Sequence, residues 1–338
     1  MLSSAAKLGL ALLASWMQGG LTPREQQAWS KIQPAIAYVG RDAVCVLIDD
    51  TGLFLGQKDA IRGNEVVAVA GTQRVTLKRL GEDSATGLVV FQASPWTYGQ
   101  AKPVYLPEKS AVQGQALFVA LPNGPIKAEL VRSDRIAVLT ASHRMFPVNE
   151  LKFEAPESAV AGGMVITQNG ELVGAVSATL RNDEANAARS GGGGISAADA
   201  LGNQLNGGAQ NFGAPKLLQR QIGPGDLTVA YTVGLGVMRR VVEGFKSPAH
   251  QVQHPTIGIF CKDYLGGGAL VTALRDDSTA AKAGMQVGDV ILSIDGAKIR
   301  SQIGFASTML QKEVGQTLVV WVLRNSLQVR LSIPVGKS

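Results

Sequence analysis

Histidine is nearly absent from this 338-residue sequence, with only His143, His250 and His254. None precedes position 143, so the first third of the chain offers no imidazole for general-base work or metal binding. Cysteine is scarcer still. Cys45 and Cys261 lie too far apart for a disulfide framework or a zinc spacing, and Cys45 in "AVCVLI" reads as a small buried hydrophobe. Aromatic residues make up 5%, and the lysines and arginines behind the net charge of +6 are scattered. That pattern excludes the stacking platforms and basic clusters of a nucleic-acid binder, while leaving a lean toward an anionic membrane surface open. "SGGGG" lacks the lysine of a phosphate-binding loop. The acidic pairs at 48–50 and 275–277 sit beside turn signals, where caps and solvated corners are expected. His250 and His254 are four apart, but Pro255 and the lack of a carboxylate partner make that stretch a hinge. Neither a metal nor a cofactor is expected.

What is present suits a folded chain of two domains: 46% hydrophobic residues, 17% charged residues and 40 glycines. The chain opens on "MLSSAAKLGLALLASWMQGG", with one positive charge at Lys7 and an apolar stretch from Leu8 to Met17. That stretch is short for a transmembrane helix and has the length of an export-signal core. An uncleaved helix that rests on a membrane or packs on the body is the alternative.

From Lys31 to Ala178 short apolar runs alternate with turn residues, as in "AVCVLIDD", "EVVAVAG", "GLVVFQA" and "QALFVALPNG", which predicts a β-barrel or sandwich. Asn169-Gly170 suits a type I′ hairpin turn. A Gly-, Ala-, Asn- and Ser-rich stretch at about 181–215 reads as a surface loop or disordered insertion. "DLTVAYTV" then forms one more strand, and "GVMRRVVEGF" places Val237, Met238, Val241, Val242 and Phe245 on one helix face. After the hinge "KSPAHQVQH" come strands around a helix "SQIGFASTMLQKE", with Leu327, Val329, Leu331 and Ile333 alternating with polar residues. This second domain is small and α+β. The expected divisions are an apolar segment at 1–23, a barrel domain at 24–246 and a second domain at 247–338.

The order of these pieces resembles the HtrA/Deg family. "GLFLGQKDAI" is similar to the family's G-Y-I-L-T-N-x-H-V-V, "LGEDSATGLVVF" to G-x-D-x-x-x-D-L-A-V-L, and "AVAGGMVITQNGELVGAV" to G-N-S-G-G-P-L-V-x-x-x-G-x-V-I-G-I. "STAAKAGMQVGDVILSIDG" resembles a PDZ segment almost residue for residue. The resemblance implies a mainly β chain, a trypsin-like double β-barrel followed by a C-terminal α+β PDZ domain. On its register the family's histidine falls on Asp59, its orienting aspartate on Gly87 and its nucleophilic serine on Ala161. A serine-protease triad needs a hydroxyl, a base to take its proton and a carboxylate to orient that base. All three are replaced, so the expectation is a pseudoprotease.

The PDZ resemblance implies a peptide site. "HPTIGIF" supplies a carboxylate-binding loop with Thr256, Ile257, Gly258 and Ile259, and Phe305 and Met309, four apart on a helix, would wall the groove. For the two isoleucines, ordinary core packing is an equal alternative. Expected partners are peptides or unfolded-protein C-termini, active protease relatives and further copies of the chain, a trimer by analogy with the family. The expected role is a non-catalytic binding scaffold in protein quality control, periplasmic, exported or held to a membrane through residues 1–20. An active serine endopeptidase using residues outside the family pattern, and a membrane-tethered adaptor, are the alternatives.

Overall fold

Runs of Val, Ile, Leu and Phe, too short for helices and punctuated by Gly and Asp turns, fold into strands across the described residues. The computed structural model describes residues 21–41, 43–97, 99, 101–139, 144–153, 162–181 and 228–337. Residues 1–20, His143, Ala161 and 182–215 of the expected insertion lie outside the described residues. The chain divides into two units, Met1–Arg144 with Val148–Gln251, and Met145–Pro147 with Val252–Ser338.

The first unit holds two closed six-stranded barrels. β1 (Ile36–Val39), β2 (Ala43–Asp49), β3 (Leu53–Gln57), β4 (Glu65–Ala70), β5 (Gln73–Asp83) and β6 (Leu88–Ser94) close in the order β1-β2-β3-β6-β5-β4. β7 (Ala116–Leu121), β8 (Gly124–Leu139), β9 (Arg144–Phe153), β10 (Met164–Thr167), β11 (Leu172–Arg181) and β12 (Thr228–Val233) close in the order β10-β11-β12-β9-β8-β7. Closure pairs every strand on both sides, so no hydrogen-bonding edge is left open. Leu47, Phe54, Leu77 and Phe91 fill the first barrel, and Leu117, Val119, Leu130, Leu151 and Val165 the second.

Among the described residues, two α-helices serve these barrels. α1 (Pro23–Ile32) begins with a reciprocal capping box between Thr22 and Glu25, and Pro23 occupies its first position. Its Trp29 is buried edge-on against Phe118 of β7, with ring centroids 5.7 Å apart. α2 (Leu235–Lys246) buries Val237, Met238, Val241, Val242 and Phe245, the face that its spacing predicts. The β10–β11 hairpin forms where expected, with a different turn. Asn169 does not take the positive φ of a type I′ turn; only Gly170 is left-handed, at +85°, and the Thr167 hydroxyl accepts the Asn169 and Glu171 N–H groups. That side-chain acceptor stabilises the longer turn.

The second unit contains β13 (Pro255–Thr256), β14 (Ile259–Asp263), β15 (Ala269–Leu274), α3 (Thr279–Lys282), β16 (Val290–Ile294), β17 (Ala297–Lys298), α4 (Gln302–Leu310), β18 (Thr317–Arg324), β19 (Leu327–Pro334) and β20 (Gly336–Lys337). Its main sheet runs β14-β15-β16-β18-β19, with β17 on β16, and β13 pairs with β20. Leu331 and Ile333 of β19 point into the core and Val329 is half-buried, but Leu327 is exposed beside the turn. That turn, Asn325-Ser326, carries the two consecutive positive φ values, 47° and 67°, of a type I′ hairpin.

Candidate functional site

β3 ends on Gln57, whose side chain is buried on the outer face of the first barrel, and the chain then turns to the surface. Asp59 is exposed on that turn, whereas Gln57 is 6% exposed. The Gln57 side-chain oxygen accepts the Lys58 N–H at 3.0 Å, and the same N–H donates to the Gly87 carbonyl at 2.8 Å. Gly87 ends the turn between β5 and β6. Within that turn the buried Asp83 carboxylate accepts the Thr86 hydroxyl at 2.6 Å and the Ala85 N–H at 3.3 Å. Gly87 itself has φ +72°, and a Cβ there would lie 3.0 Å from Gln57 Oε1. Gly162 approaches the same turn so closely that a Cβ on it would stand 2.8 Å from the Ala60 Cβ.

The structure therefore brings the β3 turn, Gly87 and Gly162 together. Ala161 lies outside the described residues. The side chain between Gly87 and Gly162 is Gln57, two residues before Asp59, which sequence reading passed over. An amide with its oxygen committed to a backbone N–H is no base. Lys58 pairs with Glu82, which also holds Arg79 at 2.9 Å, so two cations bordering the turn share one carboxylate.

In the second unit, β14 is the edge strand of its sheet, and α4 packs against β13, β14 and β15. Strand edge and helix are the two elements between which a PDZ reading places its peptide. Phe305 and Met309 of α4 are each 6% exposed and join Ile257 in one apolar cluster, with Ile259 packed against it. Ile257 is thus a core residue. The loop before β14 is fixed on both sides, since the Ala280 N–H donates to the Ile257 carbonyl at 3.1 Å and the Arg275 N–H to that of Gly258 at 3.0 Å. The Thr256 hydroxyl accepts the Gly258 N–H at 3.0 Å. Burial, with the Asp263 charge adding to it, pushes the Cys261 thiol up to about 12. It is protonated at neutral pH and is no nucleophile.

Gly258 is where this loop depends most on one residue. Its φ is +76°, and a Cβ would overlap the Cβ of Ser278, the residue that caps α3. A non-glycine residue in the left-handed region costs roughly 1–2 kcal/mol before any overlap. Gly258→Ala is expected to lower the stability of the second unit by at least that amount, read as an earlier urea transition for its amides in hydrogen exchange. An unshifted transition would show that the loop tolerates the side chain.

Three residues that sequence reading missed organise this unit. Gln302 and Asp263 tie α4 to β14, through Gln302 N–H to Asp263 Oδ1 at 2.6 Å and Gln302 Nε2 to the Cys261 carbonyl at 2.7 Å. Arg324 forks onto the buried Asp289 carboxylate at 2.7 and 2.8 Å. Among the described residues no helix is long and apolar enough to cross a membrane.

Comparison with known proteins fits this architecture. A PDZ-domain family model matches residues 234–335. The periplasmic serine endoprotease DegP of Escherichia coli K12 is 23% identical over 300 residues, covering 87% of this chain and 56% of DegP. The chain thus spans little more than half the length of that curated relative. The HtrA-type protease AlgW with tripeptide superimposes with a TM-score of 0.66 at 18% identity, over 94% of this chain and 98% of AlgW. The serine endoprotease from Yersinia pestis does so with a TM-score of 0.59 at 16% identity, over 94% and 99%. With two closed barrels and a C-terminal PDZ domain, the chain has the fold of HtrA-type proteases and is similar in sequence to DegP.

Proposed function

We propose that this chain is a non-catalytic member of the HtrA/Deg family, in which the barrels at about 24–246 form a scaffold and the PDZ domain at about 247–338 captures peptide C-termini or extended peptides. The single observation that carries the first half is Gly87. Its left-handed backbone, with the Gln57 amide beside it, leaves no ready seat for an orienting carboxylate. The absence of any histidine before position 143 and the alanine at the nucleophile position support the same reading. The second half is supported by the β14 edge, which offers main-chain pairing to an added strand beside the apolar α4 wall. Thr256, Ile257, Gly258, Ile259, Phe305 and Met309 are the proposed peptide-binding residues. A periplasmic or exported setting, self-assembly and a part in protein quality control, alone or with active relatives, complete the proposal. The second reading, an active serine endopeptidase, is favoured only by the activity in the relatives' names.

The test is casein hydrolysis by the full chain and by the triple variant Asp59→His/Gly87→Asp/Ala161→Ser. Neither is expected to hydrolyse, because restoring three side chains does not restore the backbone that must aim them. Hydrolysis by the unsubstituted chain that a serine-reactive probe blocks would overturn the non-catalytic reading.

A further inference from the structure

We propose that the unliganded peptide groove is closed by two of its own side chains, the Gln302 amide and the Thr256 hydroxyl, which a ligand must displace; this rests on the peptide-binding reading above. The argument begins with strand alternation. The Gly258 carbonyl accepts the Arg275 N–H, and the Tyr264 N–H donates to the Gly268 carbonyl. From the Gly258 carbonyl onward, even-numbered positions therefore turn their peptide groups toward β15, and Ile259, Cys261 and Asp263 turn theirs to the outer edge. The register irregularity at Phe260/Cys261 skips a residue of β15, so the alternation of β14 is unbroken.

An added peptide strand would pair with that outer edge. With its carboxylate on the 256–259 loop and its last residue beside Ile259, the residue two positions earlier lies beside Cys261, and its N–H needs the Cys261 carbonyl. That carbonyl already accepts Gln302 Nε2 at 2.7 Å. The Gly258 N–H, suited to a carboxylate, already donates to Thr256 Oγ1 at 3.0 Å. One side-chain donor thus stands in for the ligand's N–H, and one side-chain acceptor for its carboxylate oxygen. Helix α4 does not need the amide to stay in place, because the Gln302 main-chain N–H is held separately by Asp263 Oδ1.

The full chain is screened against a library of free-carboxylate decapeptides, and the tightest binder is remade with an N-methyl group on the third residue from its C-terminus. Gln302→Ala is expected to bind the unmodified peptide about two- to tenfold tighter, the worth of one neutral hydrogen bond. Thr256→Val is expected to shift affinity in the same direction. The Gln302→Ala gain disappears with the N-methyl peptide, which has no N–H for the released carbonyl; a merely structural effect would treat both peptides alike. Unchanged or weaker binding by both variants, or an equal gain on both peptides, overturns the closed groove and leaves the peptide-binding reading intact. No binding of any library member by the unsubstituted chain or either variant overturns that reading itself.

Discussion

Arg324→Met is expected to destabilise the second unit by about 3 kcal/mol and leave the barrels unchanged. The Asp289 side chain is fully buried, and the Arg324 guanidinium meets both of its oxygens while also donating to the Gly284 carbonyl at 2.8 Å. Hydrogen bonding to Asp289 is the main reason that the Arg324 pKa lies above its ordinary value. Removing the arginine leaves a carboxylate in the interior with the Gln286 N–H, at 2.9 Å, as its remaining neighbour of opposite polarity. Breaking such a pair from one side costs roughly 3–5 kcal/mol, and the partial exposure of Arg324 places this case at the lower end. Urea unfolding followed by hydrogen exchange, which reports each unit separately, measures it. The double variant Arg324→Met/Asp289→Leu is expected to recover most of the loss, because an apolar pair strands no charge. A single variant as stable as the parent would mean that Asp289 is adequately solvated without its partner.

Phe305→Ala is the second large effect, and it joins fold to function. Phe305 is 6% exposed within the cluster that includes Ile257, Met309, Leu318 and Ile333. Truncating a buried phenylalanine costs about 3–5 kcal/mol, in lost burial and in the cavity left behind. The second unit is expected to unfold at a correspondingly lower urea concentration, and peptide binding to fall with it, because the same ring is the proposed wall of the groove. Phe305→Leu, which keeps most of the volume, is expected to retain the fold and change peptide preference instead. Loss of binding in Phe305→Ala with an unshifted transition would separate the two roles and place the ring in the groove alone.

Much of this molecule was legible in its sequence. Strand-length apolar runs broken by glycine and aspartate specify β-structure, since period and punctuation are local properties. The buried face of α2 follows from its spacing for the same reason. The α1 start, Thr22-Pro23-Arg24-Glu25, is an equally local capping signal that was passed over. The proposed replacement of hydroxyl, imidazole and carboxylate at Ala161, Asp59 and Gly87 likewise reads from residue identity, with the resemblance supplying the register.

Tertiary structure decided the rest. Gln57 was unremarkable as a residue until Gly87 and Gly162 were folded against its turn. The Gln302 amide reaches a carbonyl 41 positions away and Arg324 a carboxylate 35 positions away. A bond between groups so far apart leaves no period or spacing in the chain; it exists only once sheet order has made β14 an edge and packing has laid α4 along it.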